Sequence, residues 1–239
     1  MSLPQAVFLD FASIHPDDLD VSCLSCMSLD WRWRDNTTEV EIADAIAEAE
    51  VVITNKVVLS ERDLLPAKNL KLICAAATGV NNIDVVAAKK RGIVVSNVQA
   101  YATPAVVQHV FTLLLALTTR LEQYQQDVFN GNWSRSEFFC LLDYPIRELQ
   151  GLTMGIVGYG ELGRSVAKLA ECFGMKVLIA KRNKAGVRDG RLDLHAMLPR
   201  VDVLSLHCPL TADTYGLIGR RELALMKADA LLINTARGG

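Results

Sequence analysis

The 239-residue chain is 51% hydrophobic and 22% charged, with a formal net charge of −2 and a pI near 6.1, a balance that fills one large or two modest cores. It offers no general attraction to nucleic acid or anionic lipid, and the longest strongly apolar run, Val110 to Thr119, is too short to cross a bilayer. The N-terminal MSLPQAVFLDF lacks a basic leader and a cleavage site, so the expectation is a soluble, cytoplasmic protein without nucleic-acid or membrane partners.

Six cysteines are scattered at positions 23, 26, 74, 140, 172 and 208, most of them in apolar runs, where a reduced thiol acts as a small hydrophobe. Cys23 and Cys26 form a lone CxxC with no second pair or nearby histidine, so packing outranks a zinc or redox reading and no metal is expected.

Short runs rich in Val, Ile and Leu alternate with segments of helical period, which places the chain in the α/β class with parallel sheets and crossover helices. The first unit has predicted strands near 6–10, 51–54, 71–75 and 93–96. Between them, Val40, Ile42, Ala43, Ile46 and Ala47 recur at helical spacing after Thr37 and Thr38, which predicts a capped helix over 39–49. A long apolar helix is predicted from Thr103 to about Gln126, with Pro104 in its first turn, bridging two domains. Residues 130–150, with Gly131, Trp133 and Pro145, read as an irregular connection in which Trp133 is a buried anchor. A second wound unit begins at Leu152, with strands near 153–158, 175–180, 202–206 and 230–234. The expected division is 1–98 and 99–239.

The most informative run is LTMGIVGYGELGRSVAKLAECFGMKVLIAKR at 152–182, where an apolar strand meets Gly158, Gly160 and Gly163 and then an amphipathic helix. In such a turn the first glycine permits the bend, the second admits a pyrophosphate, and the third lets helix and strand pack closely. Free N–H groups at the helix start then meet the phosphates. A bare GxGxxG is weak evidence, but the flanking strand, helix and second strand supply the context that dinucleotide binding requires. Glu161 sits oddly beside a pyrophosphate, unless it turns away and favours the helix dipole. About twenty residues on, where an acidic side chain would hold the ribose 2′-hydroxyl of NAD, stand Lys181 and Arg182. Adjacent cations attract a 2′-phosphate, so the cofactor is read as NADP or NAD, with charge favouring NADP. The competing reading makes Lys181 a solvated strand-end charge.

With these residues in view, the chain resembles the D-isomer-specific 2-hydroxyacid dehydrogenases, in particular the glycerate dehydrogenase and hydroxypyruvate reductase branch. The resemblance runs through AATGVNNID at 76–84, RGIVVSNV at 91–98, YATPAVVQHVFTLLLAL at 101–117, the glycine turn, DVLSLHCPLT at 202–211 and LLINTARGG at 231–239. It implies a flavodoxin-like substrate domain over 1–98 and a Rossmann NAD(P)-binding domain over 99–239, both incomplete. It also implies an oxidoreductase of small D-2-hydroxy acids such as D-glycerate, with hydroxypyruvate or glyoxylate as the keto partner. Residue by residue, the resemblance gives Thr78, Gly79 and Val80 to the substrate carboxylate and Thr103 to the nicotinamide end. Glu161 and Leu162 fall at the phosphates, and Cys208, Pro209, Thr235 and Ala236 beside the cofactor. Arg237 matches the catalytic arginine, whose forked guanidinium grips a keto acid. Gln108 stands where relatives often have glutamate. The family is usually dimeric, partly through the helix matching 103–126, so a homodimer is expected.

The family's acid–base pair, a histidine oriented by a glutamate, lies beyond the ARGG motif, and the chain as given stops at Gly239. His15, His109, His195 and His207 each read more cheaply as surface, helix or strand-flank residues than as proton donors. The expectation is therefore negligible turnover by residues 1–239 and an open sheet edge that favours association. The rival reading is a non-catalytic dinucleotide-sensing or interaction protein on the same scaffold, which fold alone does not separate from an enzyme.

Overall fold

Strands buried on both faces need helices above and below them, and the apolar strands of this chain satisfy that demand in two parallel sheets. The computed structural model describes residues 2–181 and 190–238. The chain divides into two units, residues 1–101 and 102–239.

In the first unit, β1 (Gln5–Phe8), α1 (Ser22–Ser25), β2 (Asp30–Trp33), α2 (Ile42–Ile46) and β3 (Val51–Thr54) are followed by α3 (Glu61–Leu64), β4 (Leu72–Ala75), α4 (Val85–Lys90) and β5 (Val94–Asn97). The strand order is β2-β1-β3-β4-β5, all parallel, which is the flavodoxin-like winding. Its core joins Val7, Val52 and Ile73 of the sheet to Ile42 and Ile46 of α2 and Ala88 of α4. The helix predicted over 39–49 is a 3-10 turn at Glu39–Glu41 followed by the short α2. Thr38 caps it through Glu41. Thr37 instead is buried and donates to the Leu9 carbonyl.

The winding reverses between β1 and β3, and a buried carboxylate holds the two strand ends together there. Asp10 accepts the main-chain N–H groups of Asn55 at 2.9 Å, Lys56 at 2.5 Å and Val57 at 3.2 Å. Hydrogen bonds to an ionised acceptor contribute about 1.5–3 kcal/mol each, enough to fix the turn after β3.

The second unit begins with α5 (Thr103–Thr119), α6 (Leu121–Phe129) and α7 (Asn132–Arg135). Then follow β6 (Thr153–Val157), α8 (Glu161–Cys172), β7 (Lys176–Ala180), β8 (Arg191–Leu192), α9 (Leu194–Met197), β9 (Val203–Leu206), α10 (Arg220–Leu225) and β10 (Leu231–Asn234). The order β10-β9-β6-β7-β8, again parallel, is that of the Rossmann fold.

Three expectations change here. The helix from Thr103 breaks at Arg120, whose φ of 55° is left-handed, and α5 and α6 bend by 65°. α5 contributes to the core of the second unit: Val110, Phe111 and Leu114 pack with Met154 and Ile156 of β6 and Val166 of α8. Trp133 is 53% exposed rather than buried. Cys23, Cys26 and Cys172 are exposed rather than packed, whereas the other three are half-buried and Cys208 packs against a core of the second unit. Among the described residues, no single helix is long and apolar enough to cross a membrane.

Candidate functional site

In the second unit the winding reverses between β6 and β9, so the loops that leave these strands diverge and open a crevice at their carboxyl ends. The glycine turn is the loop after β6. Gly158 has φ of +92°, and a Cβ there would lie 2.5 Å from the His207 carbonyl carbon and 2.6 Å from the Cys208 nitrogen. A Cβ on Gly163 would collide with the Gly158 carbonyl oxygen, so the first turn of α8 seats directly on the loop. Gly160 differs: a Cβ on it would meet nothing within 4 Å. It occupies the N-cap of the 12-residue α8, where no side chain caps the first N–H groups, and those groups are left for an anion. Two glycines are thus demanded by packing and one opens the backbone to a ligand, which fits a pyrophosphate.

Thr103 and Glu161, matched separately to the cofactor, meet here: the Thr103 hydroxyl donates to Glu161 Oε1 at 2.9 Å. That bond occupies the carboxylate, which also stands in the first turn of α8, where negative charge suits the helix dipole. The Leu162 side chain packs against the α5–α8 core, so only its main chain remains for a phosphate. Cys208, Pro209, Ala236 and Arg237 line one cavity of about 130 Å³. Thr235, Ala236 and Arg237 also border a groove of about 660 Å³ together with His109 and Leu113 of α5, so a histidine set aside on sequence grounds shares a wall with the arginine.

Asn234, which sequence reasoning passed over, shapes that loop: its Oδ1 accepts the Ala236 N–H at 3.0 Å and its Nδ2 donates to the Arg237 carbonyl at 2.8 Å. The available signal was an Asn at a strand end, a residue that mimics a backbone turn. His207 and Thr235 follow the paired ends of β9 and β10. The His207 Nδ1 and Thr235 Oγ1 are buried without a partner among the described residues. His207 Nε2 lies 2.9 Å from Ser205 Oγ, and burial pulls its pKa from 6.5 to about 4. Burial raises the Cys208 thiol, which keeps it protonated and unreactive.

At the end of β7, Lys181 Nζ sits 3.1 Å from Asp193 Oδ2. The charge assigned to a 2′-phosphate thus stands in an exposed ion pair with a carboxylate, at a solvated strand end. The pairing lowers the Asp193 pKa, first through the Lys181 hydrogen bond and then through the His195 N–H. Arg182 lies outside the described residues.

In the first unit, the loop after β4 carries Thr78, Gly79 and Val80. Thr78 Oγ1 donates to the Val98 carbonyl at 2.8 Å, and Asn97 Nδ2 donates to the Thr78 carbonyl at 2.7 Å. Asn82 Nδ2 reaches the Val57 carbonyl at 2.9 Å, and the Val80 carbonyl accepts from Ile83 N–H. The loop is thus pinned from both sides by asparagines that the sequence reading did not single out.

Residues 111–239 match the profile of the D-isomer specific 2-hydroxyacid dehydrogenase NAD binding domain. The chain belongs to the D-isomer-specific 2-hydroxyacid dehydrogenase family. A glycerate dehydrogenase of Methylorubrum extorquens is 45% identical over 202 residues, covering 84% of this chain and 63% of that enzyme. A putative 2-hydroxyacid dehydrogenase of Haemophilus influenzae is 39% identical over 97% of the chain and 73% of its own length. The D-lactate dehydrogenase of Aquifex aeolicus, complexed with NAD and lactic acid, superposes with a TM-score of 0.83 at 31% identity over 98% of this chain and 69% of that one. As a member of the family the chain carries its NAD-binding domain, and its cofactor is a nicotinamide dinucleotide, NAD or NADP.

Two outcomes follow from the turn and its neighbour. Gly163→Ala should destabilise the second unit by roughly 1–3 kcal/mol or more, because the methyl meets main chain. Gly160→Ala should leave the urea midpoint nearly unchanged yet weaken dinucleotide binding at least about tenfold, since its methyl enters the space a pyrophosphate takes; equal behaviour of the two variants in unfolding and titration would refute the assignment. For His207, the folded pKa near 4 lies below the ordinary 6.5, so its contribution to stability is present above 6.5 and declines as pH falls toward 4. His207→Gln should flatten that interval of the stability-versus-pH curve.

Proposed function

We propose that this chain belongs to an enzyme that oxidises D-glycerate, or reduces hydroxypyruvate or glyoxylate, with the cofactor held on the glycine turn. The observation that carries the reading is the turn itself: Gly158 pressed on the 207–208 main chain while Gly160 faces open space. Under this reading Gly158, Gly160, Glu161, Leu162 and Gly163 hold the pyrophosphate, Thr103 borders the nicotinamide end, and Cys208, Pro209, Thr235 and Ala236 lie beside the cofactor. Bound there, the nicotinamide supplies the hydride acceptor or donor.

The chain's own groups handle the acid. Arg237 offers a planar fork of N–H donors that grips a carboxylate and polarises a ketone oxygen, and Asn234 holds its loop. In the first unit, Thr78, Gly79 and Val80 offer main-chain N–H groups to a carboxylate. Oxidation of the alcohol sends a hydride to the dinucleotide and a proton to a base, and efficient proton transfer needs a group with pKa near the working pH. His207 is buried and titrates near 4, and His195, on α9, lines neither of the cavities that Arg237 borders, so neither serves.

A homodimer fits an apolar strip on α6 and the segment that follows. Phe129 is 89% and Phe139 93% exposed, and Phe138 and Leu142 are exposed beside them. A second copy with the same strip would cover it.

Residues 1–239 should bind NAD(P)H, read by nucleotide fluorescence, while oxidising it with hydroxypyruvate or glyoxylate no faster than buffer. Failure to bind either dinucleotide would remove the dehydrogenase reading. Ordinary turnover would remove the proposed inactivity, and its loss in His109→Asn would assign the proton to the histidine beside Arg237. In sedimentation, Phe139→Asp should shift a dimer to monomer; a monomeric parent chain would end the dimer proposal.

A further inference from the structure

Lys181 is in an exposed pair with Asp193 and Arg164 reaches the Tyr159 carbonyl at 3.5 Å, but a further cation beside the glycine turn is one that no motif marks. Arg191 opens β8, the edge strand, and pairs in register with Ile179 of β7. Side chains in register on parallel neighbours point to the same face. On β7 that face is the one from which Val177 packs against α8, so Arg191 projects to the side on which α8 begins. Ile179 lies two residues before Lys181, roughly 7 Å short of the strand end, a distance an arginine side chain spans. Its guanidinium carbon ends 5.5 Å from the ring centre of Tyr159, the residue between Gly158 and Gly160. Among the described residues no carboxylate pairs with Arg191.

We propose that Arg191, seated on the Tyr159 ring, is the residue that recognises the 2′-phosphate of NADP. The proposal rests on the dinucleotide reading of the turn and names the group that sets cofactor preference within it. A dinucleotide whose pyrophosphate lies on the α8 N-terminus carries its adenosine ribose toward the end of β7, next to this guanidinium. The cation–π contact seats the guanidinium over the tyrosine ring. The N–H edge remains free, and its fork matches two oxygens of a phosphate monoester. NAD presents only a neutral hydroxyl at the same atom. Arg191 therefore adds affinity for NADP and little for NAD.

The test is titration of the 239-residue chain with NADP+, NAD+, adenosine 2′,5′-bisphosphate and 5′-ADP, in the parent and in Arg191→Leu and Arg191→Lys. Arg191→Leu should weaken NADP+ and the 2′,5′-bisphosphate by roughly tenfold or more and leave NAD+ and 5′-ADP within about threefold. Arg191→Lys, which keeps the charge but not the fork, should fall between. The parent should show NADP+ affinity falling more steeply with salt than NAD+ affinity, a readout that needs no variant. Equal losses for both dinucleotides would make Arg191 a packing residue of the turn and overturn the proposal. A parent that binds NAD+ tightly and NADP+ poorly would overturn it while sparing the dehydrogenase reading. A parent that binds neither overturns both.

Discussion

The second unit depends on a main-chain contact that only glycine permits. Where the winding reverses between β6 and β9, the loops leaving the two strands press together at Gly158 and the His207–Cys208 peptide, and α8 presses on the same loop through Gly163. These approaches leave no room for a Cβ, and they determine where α8 starts and which way its free N–H groups face. The other features follow. Glu161 is positioned to bind Thr103, and the 207–209 loop, held against the turn, puts Cys208 and Pro209 in the cavity wall that Arg237 completes.

The first unit solves the same topological problem with polar side chains. At its reversal between β1 and β3, the Asp10 carboxylate gathers the N–H groups after β3. Asn82 then ties the next loop to that turn through the Val57 carbonyl. A carboxylate engaged in this way leaves no vacant N–H cluster at the reversal point. The loop matched to the substrate by the resemblance lies one strand further on, after β4, at Thr78–Val80. The contrast explains why one unit has the architecture of a dinucleotide site and the other does not, although both are wound parallel sheets.

The legible parts of the sequence were those where one local signal decides the outcome. Eight strands stand out as short apolar runs rich in Val, Ile and Leu, the composition that burial in a parallel sheet favours. β2 and β8 were missed because nothing in them has that form. DWRW is an edge strand whose mostly exposed residues are held by aromatic stacking of Trp31 on Trp33 and of Trp33 on Phe8. β8 is two residues long, and only pairing with β7 makes it a strand. The break at Arg120 was hidden as well, since an arginine in left-handed backbone carries no sequence mark and the usual helix-ending glycine is absent. Among site residues, glycines and the ARGG loop could be read from pattern, whereas Asn82, Asn97 and Asn234 act by hydrogen bonds to residues that only the fold brings near.

Charge placement shows why a motif position and a functional position can differ. Reading the end of β7 for an acid or a base presumes that the side chain there is free to meet the ribose. Lys181 is in an exposed ion pair, because Asp193 follows β8 by one residue and the β7–β8 pairing brings it alongside. The same pairing lifts Arg191 onto Tyr159. Asp193 N-caps α9, and His195 on that helix binds Glu222 at the start of α10, so the acid that neutralises Lys181 is fixed by the helix it caps. A short edge strand with no hydrophobic signature thus decides the partners of both Lys181 and Arg191. That decision is made by register, a property of two strands together.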